Sequence, residues 1–430
     1  NSAFCQFYLT VTDDTDPTIN CPSDFIQPTD PGLCTATFSL PPALAEDNCG
    51  VTSLQGRFRP VNESNIPTGP WSAYSDTPGG TFDPGRYQVQ WRALDGVFNS
   101  AACSYYFTVV DAEPPTVACF DTTIVFNGEE GIAMDPGLVW DEANSSDNCG
   151  GLTFLGASPD TIFCEELGDT ITVTVIVADG AGNRSFCAAT VNVVGLPCGW
   201  SFDDDGIDCA EGNSVGYDID EEVFSLQATH CFIDKDNHSD EAGYLAHELC
   251  GDGELIARVD SVFGQGWAGV SMRESDAPGA KKVELTILNE EEEGGSSPGI
   301  GNNNIVRYEV RTETDSAAQV HHFPRPSATW LRLVREGDEF FAYTSHNGAN
   351  WYPIWVETVV EMNACVEVGL LAFSYATSET IIAQFSEVTV IEGEAASFTA
   401  PEMQSVSTPT NATQTRTTSV FPNPAADRLQ

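Results

Sequence analysis

The residues best suited to chemistry in this chain are carboxylates crowded into short turns. Asp203, Asp205 and Asp208 surround Gly206, and Asp234, Asp236 and Asp240 surround Asn237, so each stretch offers oxygen atoms at close spacing. A third set lies ahead of prolines or inside Asp-Asn-Cys turns: Asp13, Asp16, Asp47, Asp111 and Asp147. Ca2+ is a hard cation that takes roughly six to eight oxygen ligands from loops of this kind, and these acids are candidate ligands for it. Neither of the first two stretches completes an EF-hand loop with its closing Glu, and solvated loops are the favoured reading of both. The third set also fits turns in which Asp caps the backbone.

Other chemistries find fewer residues. His247-Glu248-Leu249-Cys250-Gly251 opens like a zinc-protease helix but has Gly251 where the second imidazole belongs. His321-His322 precede Phe323-Pro324, and an exposed loop is expected there, with no function assigned. Glycosidases need two carboxylates facing across a cleft. No Glu-x-Asp-x-x-Glu strand occurs, and Glu290 to Glu293 run into a Gly-Ser-Pro stretch that reads as a solvated loop. The expectation is therefore a non-enzymatic chain with no catalytic residues. Trp351 and Trp355 flank a turn and are the candidate pair for stacking on sugar rings, although core packing is the common use of strand tryptophans.

Composition narrows the partners. The 430 residues hold 17 Lys+Arg against 64 Asp+Glu, a net charge of −47. That excludes a phosphate-backbone partner held by electrostatics, and so nucleic acid. The charge is easier to carry in a salty medium or with divalent cations bound. The 14 cysteines fit an oxidising, extracellular compartment. No apolar run is long enough to span a membrane, and the opening residues lack the pattern of a signal peptide, so a start elsewhere in a longer protein is expected.

The elements that must position these residues repeat. Asn1-Ser-Ala-Phe-Cys5, Asn99-Ser-Ala-Ala-Cys103 and Asn183-Arg-Ser-Phe-Cys187 each lead into alternating strand patterns. An Asp…Pro step follows twice (Asp16-Pro17, and Asp111 ahead of Pro114-Pro115), then Cys21 or Cys119, then Asp47-Asn-Cys49-Gly50 or Asp147-Asn-Cys149-Gly150. Short strands, close-set turns and about a hundred residues per copy predict immunoglobulin-like β-sandwiches. Residues 1–196 resemble the hyalin repeat family, whose members are extracellular modules of adhesion or of stalks. The resemblance implies the pairs Cys21–Cys34, Cys49–Cys103, Cys119–Cys164 and Cys149–Cys187, with Cys5 unpaired. The expected divisions are 1–14 for the end of a truncated repeat, 15–112 and 113–196 for full repeats.

From Leu196-Pro197-Cys198 the repeat motifs stop and hairpins follow, the clearest being Trp330–Glu336 and Glu339–Ser345 joined at Gly337-Asp338. This part, 197–392, resembles concanavalin or laminin-G jelly rolls, including the DUF1349 kind. The fold class is thus all-β, tandem immunoglobulin-like sandwiches followed by a jelly roll. Cys198, Cys209, Cys231, Cys250 and Cys365 form an odd set, so two disulfides and one leftover thiol are expected. Residues 393–418 read as a Ser/Thr-rich linker, and Phe421, Pro422, Asn423 and Pro424 within 419–430 resemble the opening of a type IX secretion sorting domain.

The functional expectation is a structural or adhesive segment of a large bacterial cell-surface protein, part of an appendage or assembly that touches itself, other surface proteins, cells or surfaces. The alternative is a calcium-dependent protein that binds cell-surface glycans. A secreted polysaccharide hydrolase is third.

Overall fold

A computed structural model describes residues 5–393 apart from 204–206, 208, 210–211, 230, 232–237, 290–304, 326 and 375–379. The candidate ligands Asp205, Asp208, Asp234 and Asp236, the Glu290–Glu293 run and the Phe421–Pro424 motif lie outside these residues.

The first sandwich grows from three long strands, Val51–Val61, Gly85–Asp95 and Ser100–Val110, paired antiparallel, with Phe25–Pro28 added in parallel to the last. Strict alternation in Gly85–Asp95 sends Val89, Trp91 and Ala93 to the core and Arg86, Gln88, Gln90 and Arg92 to the other face. Ala36–Ser39 with Gly79–Phe82, and Thr18–Asn20 with Leu44–Glu46, close the opposite layer. Phe82 lies edge-on to Phe58, Tyr87 and Phe107 at the centre.

The second sandwich repeats this plan. Thr153–Ser158, Thr170–Ala178 and Arg184–Gly195 pair antiparallel, with Thr122–Phe126 in parallel to the last. The β-branched run Thr-Ile-Thr-Val-Thr-Val-Ile-Val puts Val173, Val175 and Val177 into a separate core with Val191 and Val193.

Two seven-stranded antiparallel sheets form the jelly roll. One runs Trp200–Phe202, Gly243–Cys250, Cys365–Ser374, Gly266–Arg273, Lys282–Asn289, Ile305–Arg311 and Gln319–Pro324. The other runs Ser214–Asp218, Val223–Thr229, Thr380–Glu392, Gly253–Phe263, Trp330–Glu336, Glu339–Ser345 and Tyr352–Ile354. Their facing side chains make the third core. His321 and His322 sit in the edge strand Gln319–Pro324, opposite Tyr308 and Arg307, rather than in a loop; pairing with the neighbouring strand overrides the turn signal of Pro324. His247 is also on a strand, its ring edge-on to Trp200.

The disulfides depart from the expected pairs. Cys21 bonds Cys103 and Cys119 bonds Cys187, each joining the first strand region of a sandwich to its last strand. Cys34 bonds Cys149, and Cys164 bonds Cys198, each joining a sandwich to the unit after it. The pairs Cys21–Cys34, Cys49–Cys103, Cys119–Cys164 and Cys149–Cys187 are therefore replaced. The physical reason is placement: Cys34, in a loop, and Cys164, opening the 3-10 turn Cys164–Glu166, lie at the end facing the next unit, whereas the Asp-Asn-Cys turns face the unit before. The leftover of the odd set, Cys198, is taken by Cys164. Cys209–Cys231 and Cys250–Cys365 are internal to the jelly roll, and Cys5 and Cys49 are free. Six disulfides match a secreted or extracellular setting. Among the described residues no helix is long and apolar enough to cross a membrane.

Behind the first jelly-roll sheet lies a closed ion network. Lys282 Nζ donates to Asp240, Glu284 and Glu309 at 2.8 Å each, and Arg273 reaches Asp240 at 2.7 Å and Glu284 at 2.9 Å. Arg311 forks onto both oxygens of Asp240. Asp240, Arg273, Lys282 and Arg311 are fully buried. Burial alone would push the Asp240 carboxyl up, but Lys282, Arg273 and Arg311 together hold it well below the usual carboxylate range. Because its folded value is depressed, its contribution is full above the ordinary carboxylate range and is lost only in strong acid. Lys282→Met would leave three buried carboxylates short of a cation. The jelly-roll unfolding transition in guanidinium is expected to lose ~3–5 kcal/mol.

Candidate functional site

Each sandwich carries a matching pair of acids where the chain enters it. At the first, Asp13, Asp47 and Asp95 bring carboxylate oxygens within 4.8 Å of one another. Asp13 lies in the entering segment, Asp47 in the turn before Val51–Val61, and Asp95 at the end of Gly85–Asp95. At the second, Asp111 and Asp147 come together with the disulfide-bonded Cys149 as the third member, and Asp179 repeats the hydrogen bonds of Asp95 without joining the group.

The hydrogen bonds repeat along with the residues. One oxygen of Asp95 accepts the N–H groups of Val97 and Asn99 at 2.9 Å each, and its other oxygen accepts the Asn99 amide at 2.8 Å. Asp179 does the same with Ala181 and Asn183 at 2.8 and 2.9 Å, and with the Asn183 amide at 2.8 Å. The Asn99 and Asn183 amides then reach the carbonyls of Asp13 and Asp111, each at 3.2 Å, tying the entering segment to the sandwich.

The remaining acids are half engaged. Asp13 accepts Thr15 N–H at 3.1 Å, and Asp47 accepts Cys49 and Gly50 N–H at 2.8 and 3.0 Å, each through a single oxygen. Asp111 accepts Glu113 N–H and Asp147 accepts Cys149 N–H, again through one oxygen each. The second oxygens, Asp13 Oδ2, Asp47 Oδ1, Asp111 Oδ2 and Asp147 Oδ1, are shielded from solvent and have no hydrogen-bond partner, nor has Asn148 Oδ1. A buried carboxylate oxygen left without a donor is costly, and here the pattern occurs twice at matching positions. Thr15 N–H holds the Asp13 carboxyl below its usual range, with Cys49 and Asn48 beside it adding to the effect. The Asp13 carboxylate in turn pushes the Cys49 thiol up.

The second cluster is also the contact between sandwiches. Asn148 donates to the Leu33 carbonyl at 2.9 Å, Gly32 N–H donates to Glu113 at 2.7 Å, and the Cys34–Cys149 disulfide closes the contact. An open pocket of about 310 Å³ lies here, lined by Gly32, Glu113, Pro114, Thr116, Ser146, Asp147 and Asn148.

The sequence-predicted ligands separate accordingly. Asp13 and Asp47 come together, as do Asp111 and Asp147. Asp16 is exposed outside the cluster. Asp203, at the end of Trp200–Phe202, joins neither. Asp240 is not a cation ligand at all: its oxygens are taken by Lys282, Arg273 and Arg311. Asp95 and Asp179 were missed because each sits in a strand-end Asp-Gly turn whose acid looks structural. The recurring Asp95…Asn99 and Asp179…Asn183 spacing is the signal that could have found them.

Trp351 is half-buried under Arg332, whose guanidinium is 5.9 Å from its ring, and Trp355 is 76% exposed. The jelly-roll pocket nearest them, about 290 Å³, is lined instead by Tyr352, His346, Thr344, Ser345 and Arg325. A carboxylate pair also escaped the sequence: Glu284 and Glu309 face each other across adjacent strands, both on Lys282. Sheet register between two strands makes the pair, and spacing along one strand does not show it.

No family model matches the chain. It is 25% identical over 217 residues to the mouse protein "Sushi, von Willebrand factor type A, EGF and pentraxin domain-containing protein 1", and likewise to the rat one. That is 48% of this chain and 6% of each relative, so the chain spans a small part of their length. Among solved structures it is similar to a functionally unknown protein from Saccharomyces cerevisiae (14% identity, 44% of this chain and 94% of that one, TM-score 0.34). It is also similar to the carbohydrate binding module CBM66 from Bacillus subtilis (15%, 45% and 95%, TM-score 0.29). The GH43 protein BlXynB from Bacillus licheniformis covers 83% of this chain and is itself covered to 74% (10% identity, TM-score 0.29). The expectation of a non-enzymatic chain is corrected by that last match, which sets a glycoside hydrolase family protein beside the binding module.

Non-reducing peptide mapping should recover Cys34 linked to Cys149 and Cys164 linked to Cys198. The double variant Cys34→Ser/Cys149→Ser is expected to lose roughly 2–4 kcal/mol in denaturant unfolding, the usual worth of a disulfide closing a long loop.

Proposed function

We propose that this chain is a stiff, calcium-braced segment of a secreted bacterial surface protein, whose sandwiches (15–112 and 113–196) hold the jelly roll (197–392) out toward cells or surfaces. One observation carries the reading: the same pair of acids, Asp13 with Asp47 and Asp111 with Asp147, each with one unpartnered oxygen, stands at the entry to both sandwiches. Among the described residues no Lys or Arg pairs with any of these acids. Ca2+ would take Asp13 Oδ2, Asp47 Oδ1 and Asp95 at one site. At the other it would take Asp111 Oδ2, Asp147 Oδ1 and Asn148 Oδ1, with water completing each shell. At the second site the ion would join the linker to the turn that already grips Leu33, and so fix the angle between sandwiches.

The hyalin-repeat resemblance supports an adhesive or stalk role, and Phe421-Pro-Asn-Pro424 supports export by the type IX route. A second reading, glycan contact by the jelly roll, is favoured by the pocket beside Tyr352 and His346.

Calcium titration of the full chain tests the first reading. Calorimetry should show binding, and calcium at about a hundred times its dissociation constant should stabilise the sandwiches by about 2.7 kcal/mol. Asp111→Asn/Asp147→Asn should remove one binding event and reverse in sign with conditions, destabilising in calcium yet neutral or stabilising in chelator, where it relieves repulsion. X-ray scattering should show a narrower distribution of dimensions with calcium than with chelator. Absence of binding heat and of any thermal shift would sink the reading.

A further inference from the structure

The first sandwich gathers its positive charge on one face. Arg57, Arg59, Arg86 and Arg92 are the only Lys or Arg residues between positions 1 and 112, against twelve Asp and Glu. All four lie on or beside the outer face of the Val51–Val61, Gly85–Asp95 and Ser100–Val110 sheet. Register places Arg57 opposite Gln90, Arg59 opposite Gln88, and Gln55 opposite Arg92.

Three of the guanidiniums interleave with two rings from the loop that follows Val61. Trp71 is held between Arg59, at 4.2 Å, and Arg57, at 4.4 Å. Tyr74 is held between Arg57, at 4.5 Å, and Arg92, at 4.2 Å. The order is Arg59, Trp71, Arg57, Tyr74, Arg92, a stack in which each ring serves two cations.

The edges of this stack donate and do not accept. Arg57 donates through Nε and Nη2 to Gln90 Oε1, which also takes the Tyr74 hydroxyl. Arg59 donates in the same way to Gln88 Oε1. The glutamine oxygens are thereby occupied, and what remains is the amide NH2 of Gln88 and Gln90 with the Nη1 edges of Arg57 and Arg59. Arg92 Nε is shielded and has no partner. Arg86 is different, being engaged by Asn65, Thr108 and Asp24. Arg57, Arg59 and Arg92 make no ion pair among the described residues. In a chain of net charge −47, three unneutralised guanidiniums side by side form a patch suited to an external anion.

We propose that this stacked face binds an extended acidic polysaccharide, bearing carboxylate or sulfate groups, along the Gly85–Asp95 strand. Planar guanidinium edges recognise such groups bidentately, and the amide donors between them suit ring and hydroxyl oxygens. Same-face side chains along a strand recur at about 6.6–6.8 Å, which presents donors in a row rather than at a point. A polysaccharide is favoured over a second copy of this chain by charge. A thin strand meets only the field within a Debye length of about 8 Å, whereas a second copy brings another body of −47 into contact.

Affinity electrophoresis of the full chain in chelator, with polygalacturonate, dextran sulfate, neutral dextran or polyglutamate in the gel, decides the matter. Retardation by either acidic polysaccharide and not by dextran is expected, weakening with added salt. Arg92→Gln, which breaks no hydrogen bond, and Arg57→Gln/Arg92→Gln should weaken it by threefold and at least tenfold, with the melting temperature followed in parallel. Arg92→Lys should restore charge but only part of the affinity, because it lacks the planar edge. Three results would overturn the proposal. One is equal retardation of the variants, and another is stronger retardation by polyglutamate, which would make the partner an acidic protein. The third is no retardation by any polyanion together with a lowered melting temperature in the variants, which would make the stack a brace for the loop.

Discussion

Cations are scarce in this molecule, and where they go decides how each part is held together. Seventeen Lys and Arg must serve 64 acids. The jelly roll buries Arg273, Lys282, Arg307, Arg311 and Arg332, which Asp240, Glu254, Glu284 and Glu309 meet, and Arg335, which donates to backbone carbonyls. The first sandwich commits its four arginines to one outer face, and the second sandwich, 113–196, has Arg184 alone. Nothing cationic is left for Asp13, Asp47, Asp111 or Asp147. Covalent cross-links and hydrogen bonds to backbone N–H groups do there what ion pairs do in the jelly roll.

That distribution explains why the disulfides run forward. A short linker such as 111–116 buries little apolar surface, and acids on both sides repel. A cross-link from the Cys34 loop to Cys149 holds the contact irrespective of charge, and Cys164–Cys198 does the same at the next boundary. Within each sandwich a single bridge, Cys21–Cys103 or Cys119–Cys187, joins first strand region to last. One internal and one forward bridge per unit is a rule of the array, and Cys49, free here, holds the position that Cys149 uses to receive a bridge.

Strands were the most legible feature of the sequence, because alternation is a local property. Val173, Val175 and Val177 on one face, or Arg57 and Arg59 opposite Phe58, can be read without knowing the partner strand. The recurring Asp-Asn-Cys turns likewise pointed to Asp47 and Asp147, and the Asp…Pro steps to Asp13 and Asp111. What stayed hidden depends on which loops share an end of a sandwich. The resemblance paired Cys21 with Cys34 inside one unit, whereas the fold sends the two to different partners. Asp240 shows the same limit: its neighbours Asp234 and Asp236 suggest a loop that holds an ion. Its actual partners Arg273, Lys282 and Arg311 come from three strands that only sheet register brings beneath it.

The Glu284 and Glu309 pair sharpens the distinction between residues that are present and residues that are available. Facing carboxylates are the raw material of several hydrolytic mechanisms. Here both oxygens of Glu284 and both of Glu309 are already engaged by Lys282, Arg273 and Arg307, in a layer from which solvent is excluded. The junction acids are the converse case. Asp111 is 8% exposed, yet one of its oxygens has no hydrogen-bond donor. Desolvation without a donor is tolerated in a folded protein when something else supplies the positive charge. Two sites that repeat the same deficit share one requirement, positive charge offered to oxygen, which is what the proposed divalent cation would bring.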